Sequence, residues 1–290
     1  MNPQDSLSLS RPGSAGADHE APADALAAVL RESRRRRHRH YLLALVGLVV
    51  VTAFCDYAGV LEIARYRDAL PTILQLVGDA LPPDFSRWRN WGRPLMETLS
   101  MSIAGTAFGL LAALPLGALA ARNITPNWLG APIRLLLNTC RSIPGLVWGI
   151  VFVAAVGFGP LPGVLALASH STGMLGKFCA EILEHVDAAP GNALRSYGVS
   201  RLGVLRFSVL PQILPRLVDV TVYRWEHNLR AATTLGVVGA GGLGLEIVTA
   251  FHLFEYREAL ALIIVLLGLV TLINSGGAYL RQRLLHAHQS

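Results

Sequence analysis

The chain has 290 residues, of which 52% are hydrophobic and only 15% charged, and its formal net charge is +6. Soluble domains carry about 25% charged residues, so the composition excludes an ordinary soluble enzyme and predicts an all-α membrane protein. The three cysteines, Cys55, Cys140 and Cys179, lie far apart without histidines at ligand spacing. We therefore expect neither a disulfide framework nor a metal site.

Residues 1–40 are predicted to form a disordered, basic cytoplasmic tail. Their first thirty residues are rich in Ser, Ala, Pro, Asp and Gly and lack an apolar pattern. The run RESRRRRHRH then abuts the first apolar stretch. A nucleic-acid patch is the alternative on composition alone. Arginine next to a membrane span marks the cytoplasmic side, so we expect the N-terminus inside and no nucleic-acid partner.

Apolar stretches of membrane-spanning character predict about six transmembrane helices. The first is 41–60, and it is followed by a periplasmic segment, 61–94, in which residues 66–81 have the spacing of an interfacial helix. The other stretches belong to a membrane core over 95–280; they are 95–121, 143–157, 161–178, 218–238 and 259–273. In this order the basic ends fall on one side, so the tail 281–290 is also predicted to be cytoplasmic.

The longest inner loop, 179–216, has the punctuation of short helices. Helix-starting and helix-ending residues alternate along it. We expect amphipathic helices at the cytoplasmic surface, serving either as a structured loop or as a docking surface. The starts are predicted at Asp187 with Pro190 and again at Ser200, and the ends at Gly198 and at Pro211 with Pro215.

A charged run, YRWEHNLR, lies inside the predicted fifth span. Ionised side chains near a bilayer centre cost about 2.5–3.5 kcal/mol each on insertion scales, and they mark a pathway or an internal pair. On a helix, Glu226 and Arg230 share a face with Tyr223 and can neutralise one another. Arg224 projects elsewhere, one turn below Asn228. For Glu226 and Arg230 we favour pairing across helices or with a neighbouring copy of the chain. For Arg224 we favour an anion pathway, and for His227 a packing role.

A formal G-x-G-x-x-G pattern, with Gly239, Gly241 and Gly244, follows this charged run and the fifth span. A dinucleotide site needs that pattern between a strand and a helix, whereas here it lies between two predicted spans, and the sequence contains no GxxxxGK[ST] pattern. We therefore expect the glycines to serve close helix packing or a helix break. Pro115 and Gly117 in the second span are expected to kink that helix. The residues assigned to helix packing or gating are therefore Pro115, Gly117, Gly239, Gly241, Gly242 and Gly244.

The stretch NALRSYGVSRLGVLRFSVLPQILP resembles the EAA loop of ABC-transporter permeases. Asn192–Ala193–Leu194 stands where that loop has E-A-A, and Gly198 and Leu210–Pro211 follow at the family's distances. Asn192 replaces the usual glutamate and Ser208 the usual isoleucine. The resemblance implies that Asn192, Ala193, Leu194, Gly198, Leu210 and Pro211 couple this chain to an ATPase.

The resemblance extends over roughly residues 90–275 to the permease of phosphonate transporters. It is carried by the stretches Met96–Asn123, Arg141–Leu167 and Tyr223–Gly244. It implies a type I ABC importer permease fold with cytoplasmic coupling helices, placed in the bacterial inner membrane. The implied partners are a second copy of the chain, two cytoplasmic ABC ATPase subunits, a periplasmic phosphonate-binding protein and membrane lipid. ATP and Mg²⁺ would be bound by the ATPase, leaving this chain without a cofactor and without catalysis.

Several alternatives stay open at this point. Methionine permeases share the GVVGAGGLG stretch but lack the charged YRWE run, so another small solute is the nearest alternative. An ion-driven carrier would keep uptake after loss of an ATPase, and a membrane oxidoreductase would bind nicotinamide. Phosphonate, phosphate and phosphite are not distinguished, nor is a homodimer from a heterodimer.

Overall fold

The computed structural model describes the backbone of residues 20–286 and the side chains of residues 34, 36–63 and 66–279. Regular structure in this part of the chain is entirely helical, and internal contacts divide the chain into two units, residues 1–73 and 74–290. The α-helices are α1 (Glu20–Tyr57), α2 (Ile63–Tyr66), α3 (Ala69–Ala80), α4 (Gly92–Ala120), α5 (Asn127–Ser142), α6 (Gly145–Val156), α7 (Pro160–Glu184), α8 (Ala188–Ser196), α9 (Arg201–Val204), α10 (Leu210–Gly236), α11 (Gly242–His252) and α12 (Tyr256–His286).

The helices at the two ends of the chain are longer than the sequence predicts. α1 contains most of the predicted first span but begins at Glu20, inside the predicted tail. The residues between Glu20 and that span include many Ala, Leu and Arg, which favour helix. α12 likewise continues through His286 into the predicted C-terminal tail. The remaining tail residues, 1–19 and 287–290, lie outside the described residues. The predicted interfacial helix is present as α3, which crosses the boundary between the two units.

Each of the predicted spans falls on a helix. Within the described residues, three helical stretches are long and apolar enough to cross a membrane alone: 36–57, 88–120 and 256–279. A fourth is obtained if α5 and α6 are counted as one bent span. α7 and α10, with 25 and 27 residues, are long enough for a bilayer of about 30 Å but carry polar side chains that lower their hydropathy.

The predicted third span is shorter than expected. α6 has only 12 residues, about 18 Å of helix, and α5 precedes it at an angle of 91°. The break falls at Ile143 and Pro144, which are both extended, and Pro144 forms the N-cap of α6. Proline disfavours helical geometry in the residue before it, which explains why the helix breaks between α5 and α6.

The centre of the second unit is a close contact between α4 and α7. Gly105, Gly109 and Gly117 recur on one face of α4, and an ideal Cβ built on any of them would come within 2.5–2.7 Å of an α7 atom. Small residues at this spacing let two backbones approach. The α7 side chains that meet them belong to Leu167, Ser171 and Cys179.

The loop between α7 and α10 is helical, as predicted, but its end is placed wrongly by the sequence analysis. Pro211 and Pro215 do not end a helix: α10 begins at Leu210 and includes both. Pro211 is the second residue of α10, a position where proline is tolerated, whereas Pro215 lies inside the helix and does not end it. A π-helical turn, Leu205–Val209, joins α9 to α10 without a break.

The glycines of the G-x-G-x-x-G pattern form a tight turn from α10 into α11. The sequence analysis did not predict α11 as a separate helix. Gly239, Gly241 and Gly242 have φ angles of 91°, 84° and 73°, which favour glycine. A Cβ at Gly236 or Gly244 would overlap the backbone of the opposite helix. No strand flanks the turn in the described residues, so the pattern lacks the context of a dinucleotide site.

Replacing Gly109 by alanine should destabilise the protein, because the new Cβ would overlap the Ser171 Cβ. We expect G109A to lower the free energy of unfolding by about 2 kcal/mol, the usual cost of overpacking. Unfolding in mixed micelles, followed by tryptophan fluorescence, measures this change. Gly268, in α12, is the matched control, because a Cβ there meets nothing within 4 Å and alanine improves helix propensity. Equal stabilities of G109A and G268A would contradict the close contact.

Candidate translocation pathway and coupling surface

Arg224 on α10 is buried among the helices of the second unit, with 4% of its surface exposed. Its Nε donates to Ser171 Oγ at 2.9 Å, and its Nη2 lies 2.7 Å from His170 Nδ1. Both partners are on α7. A buried guanidinium is stable only when its donors find acceptors, and α7 supplies two of them here.

Asn228, one turn above Arg224, is fully buried and shares its partner. Its Nδ2 donates to Ser171 Oγ and to Thr106 Oγ1, both at 2.8 Å. The Ser171 hydroxyl therefore accepts from two residues of α10, while Thr106 adds a contact from α4. Asn228 Oδ1 has no hydrogen-bond partner among the described residues, an exception of the kind that concentrates at functional sites.

A cavity of about 340 Å³ opens beside this network, between α6, α7 and α10. Four nitrogen-bearing side chains reach it, and the described residues that line it include no carboxylate. The walls are otherwise small and apolar. Such a lining suits an anion, because guanidinium and imidazole groups donate hydrogen bonds to its oxygens. The basic residues are His170, Arg224, His227 and Arg230.

Glu226 and Arg230, for which we expected pairing across helices or with a neighbouring copy, both reach α12. Arg230 Nη1 donates to Asn274 Oδ1 at 3.3 Å. Glu226 is buried, and its carboxylate lies against Gly277, leaving no room for a Cβ at that position. Tyr223, on the same face, is half-exposed. α12 therefore receives these side chains, and Arg230 also reaches the cavity.

Two features of the site differ from the sequence analysis. His227, for which we expected a packing role, is exposed in this chain and lines the cavity. His170 and Ser171 were missed altogether. Their signal was present, because ASHS interrupts an apolar span, and polar residues within a span usually face its partners or a pathway.

The predicted coupling segment folds as two capped helices. Asp187 Oδ1 accepts from Ala189 N at 2.9 Å to start α8, and Ser200 Oγ accepts from Gly203 N at 3.3 Å to start α9. Between them Gly198 has φ +77°, a left-handed geometry, which glycine adopts at no steric cost. Gln212 ties the segment to α10 by accepting from the Asp187 N–H at 2.9 Å.

One face of this segment, which we call the coupling surface, combines exposed apolar and basic side chains. Tyr197 is 88% exposed, Leu202 78% and Phe207 68%. A group of exposed large apolar residues rimmed by charge marks an interaction site. Of the predicted coupling residues, Asn192, Ala193, Leu210 and Pro211 are exposed, Leu194 is half-buried and Gly198 forms the bend. The basic residues of the coupling surface are Arg195, Arg201 and Arg206.

The remaining predicted packing or gating residues lie in α4 and at the α10–α11 turn. Pro115 is inside α4, which continues past it, and Gly117 faces Cys179 of α7. At the turn, Gly239 accepts from Gly159 N at 3.1 Å. Two α4 side chains also hold the first turn of α11: Glu97 accepts from Gly242 N at 3.1 Å and Thr98 from Leu243 N at 2.9 Å.

Comparison with known proteins identifies the family. Residues 113–286 match the family described as binding-protein-dependent transport system inner membrane component. The chain belongs to this family. The matched range contains α7 and α10, with their buried network, and the whole coupling segment. The predicted permease is thereby confirmed.

Relatives and solved structures agree with this assignment. The chain is 49% identical to the phosphite transport system permease protein PtxC of Stutzerimonas stutzeri over 83% of this chain and 87% of that protein. It is 41% identical to the phosphate-import permease protein PhnE of Mycolicibacterium smegmatis over 70% of this chain and 38% of that protein. An inward-facing structure of the MetNI methionine ABC transporter has a TM-score of 0.58 and 24% identity, covering 67% of this chain and 95% of the other. The fold is therefore that of type I ABC importer permeases.

Removing the Ser171 hydroxyl should destabilise the protein, because Arg224 and Asn228 both donate to it. We expect S171A to lower the free energy of unfolding by about 2 kcal/mol, the cost of leaving buried donors without an acceptor. Unfolding in mixed micelles measures it. Ser100, exposed on α4, is the matched control, and S100A should change stability by less than about 0.5 kcal/mol. A neutral S171A would show that the network adds nothing to stability.

Proposed function

We propose that this chain is the membrane-spanning subunit of an ATP-driven importer for phosphite, phosphonate or a related phosphorus oxyanion. The observation that carries the proposal is the buried Arg224 beside a cavity whose described lining has arginine and histidine but no carboxylate. The names of the phosphite and phosphate permeases support the same substrate class. The chain is proposed to bind no cofactor and to catalyse no reaction itself.

The composition of the cavity favours an oxyanion over an amino acid. A phosphorus oxyanion presents several acceptor oxygens, and guanidinium groups bind such oxygens through paired N–H donors. Methionine also carries an ammonium group, which would need an acidic or carbonyl acceptor to leave water. The described lining of the cavity offers arginine and histidine instead. We therefore place the methionine alternative second.

We further propose that the segment from Asn192 to Pro211 couples the pathway to ATP. ATP and Mg²⁺ bind to a separate cytoplasmic ATPase, whose surface receives the exposed Tyr197, Leu202 and Phe207. α9, the π-helical turn and α10 follow one another without a break. Movement of the coupling surface is thereby transmitted along α10 towards Arg224.

The proposed assembly contains two copies of this chain, two ATPase subunits and a periplasmic binding protein that delivers the anion. Both termini lie in the cytoplasm, so that the basic residues before α1 and the coupling surface share one side of the inner membrane. An exposed apolar face on α6, with Leu146, Val147 and Ile150, supports contact with a second copy or with lipid. Reconstitution with this chain as the sole permease tests the homodimer.

Replacing Arg224 by glutamine should reduce anion uptake. The change removes the positive charge from the cavity while retaining a hydrogen-bonding side chain. We expect R224Q to lower uptake of phosphite by proteoliposomes at least about tenfold, since a hydrogen bond to a charged group is worth about 1.5–3 kcal/mol. R224K should be intermediate, because it keeps the charge but loses the planar donor geometry.

The matched control for this experiment is Arg257→Gln, which removes an exposed arginine outside the cavity. R257Q should transport at the wild-type rate. Uptake by R224Q equal to wild type, with ATP hydrolysis unchanged, would contradict the pathway role of Arg224. Uptake that continues in the absence of the ATPase would instead indicate an ion-driven carrier.

Replacing Gly198 by valine should uncouple ATP hydrolysis from uptake. Gly198 has φ +77°, where a β-branched residue is strained, so the bend between α8 and α9 would change. We expect G198V to keep ATPase activity in the assembled complex while losing most of its phosphite uptake. G198N is the matched control, because asparagine tolerates left-handed geometry and should transport almost normally. Unimpaired transport by G198V would contradict the coupling role.

A further inference from the structure

A second cavity, which we call the α5–α7 cavity, lies away from the pathway cavity and shares none of its lining residues. It has a volume of about 250 Å³ and is bounded by the end of α4, by α5 and by α7. Four cationic and two anionic side chains line it, which leaves an excess of two positive charges. They are Arg122, Arg134, Arg141, Lys177, Glu181 and Glu184.

Some of these groups already have structural partners. Arg134 Nη1 donates to Ala120 O at 2.9 Å, and its Nη2 donates to Asn127 Oδ1 at 3.0 Å. The guanidinium thus satisfies a carbonyl at the C-terminus of α4. Glu184 accepts from the Arg122 backbone N–H at 2.7 Å. Neither interaction requires a ligand.

Arg141 and Lys177 have donors to spare. Arg141 Nε donates to Asn138 Oδ1 at 3.1 Å, which leaves the terminal nitrogens of the guanidinium available, and within the described residues Arg141 forms no ion pair. Lys177 Nζ lies 3.3 Å from Glu181 on its own helix, and both side chains are partly exposed. Exposed pairs of this kind contribute little. An incoming anion would therefore find unsatisfied donors from two helices.

The helix that forms one wall of the cavity also has a membrane-facing character. α5 carries Trp128, 78% exposed, together with the exposed Leu135 and Leu136. It is bent by 91° from the apolar α6 that follows. Exposed tryptophan and leucine beside arginine are typical of a helix at the membrane interface. The cavity reaches Glu184, at the α7 end that leads into α8, and so lies on the coupling side of the protein.

We propose that the α5–α7 cavity binds the phosphodiester headgroup of an anionic phospholipid, with Arg141 and Lys177 as its principal contacts. Basic pockets between helices on the cytoplasmic side recognise such headgroups. The exposed apolar side chains of α5 would contact the acyl chains of the lipid. A free inorganic anion has no acyl chains. The bound lipid would join α5 to α7 immediately before the coupling segment.

The full chain, purified in detergent, tests the proposal by native mass spectrometry with dioleoylphosphatidylglycerol or dioleoylphosphatidylcholine at equal concentration. We expect phosphatidylglycerol to be retained preferentially. The double variant R141Q/K177Q should weaken its retention about 30-fold, as expected for losing two cations near a membrane surface. R89Q/R257Q, which removes two exposed arginines outside the cavity, is the matched control and should retain the lipid.

A charge-retaining variant, R141K/K177R, separates folding from binding, since it should fold and keep the lipid. Equal retention of phosphatidylglycerol by wild type and R141Q/K177Q would overturn the proposal. Inorganic phosphate provides the other arm of the test. If phosphate alone binds in a manner that depends on Arg141 and Lys177, and phosphatidylglycerol does not, the cavity is a site for a free anion and the lipid assignment is wrong. Phosphatidylglycerol binding that phosphate fails to displace supports the lipid.

Discussion

A guanidinium buried inside a membrane protein has to be matched by acceptors, and the architecture around Arg224 follows from that requirement. Ser171 and His170 supply the acceptors from α7. They reach α10 because the backbone of α7 is packed closely against that of α4. This packing depends on the glycines of α4, which let the two backbones approach. Close packing and polar satisfaction are thus two parts of one arrangement.

The composition of the cavity beside Arg224 suits transport of an anion. The pathway cavity is lined by cationic and neutral donors, and a binding site of that kind must also release its ligand. A shared acceptor is consistent with release, because Ser171 Oγ already accepts from both Arg224 and Asn228. On the proposed pathway, an arriving anion would compete with Ser171 for the N–H donors of Arg224. Its binding would therefore be weaker than at an isolated guanidinium.

Much of the fold was predictable from sequence because apolar length and helix punctuation are local properties. The caps at Asp187 and Ser200 and the bend at Gly198 occur where the sequence predicts them. The start of α10 was misplaced, since a proline in a first turn and a proline that ends a helix have the same local sequence. The helix ends at Glu20 and His286 were not predicted, because the tails were defined by their polar and basic composition and not by the helix propensity of their residues.

The candidate site was only half predictable, because its geometry depends on which helices are neighbours. Arg224 and Asn228 stand out in an apolar span, and so does the ASHS stretch that contains Ser171, but the sequence does not show that Ser171 and Thr106 are their partners until α4, α7 and α10 meet. The interaction of Glu226 with α12 at Gly277 depends on the same tertiary information. Spacing on one helix shows that Glu226 and Arg230 share a face, but which residue of another helix Arg230 meets, Asn274 on α12, depends on packing between helices.

α9, the π-helical turn and α10 form one continuous helical stretch, so that a rotation at its cytoplasmic end is transmitted along α10. Arg224 lies fourteen residues beyond Leu210, which marks the start of α10, a distance of about 21 Å along the axis. A tilt of about 10° at the base would therefore displace the guanidinium by roughly 4 Å at that rise per residue. That displacement exceeds the length of a hydrogen bond, so a modest rotation at the cytoplasmic end is sufficient to exchange the partners of Arg224.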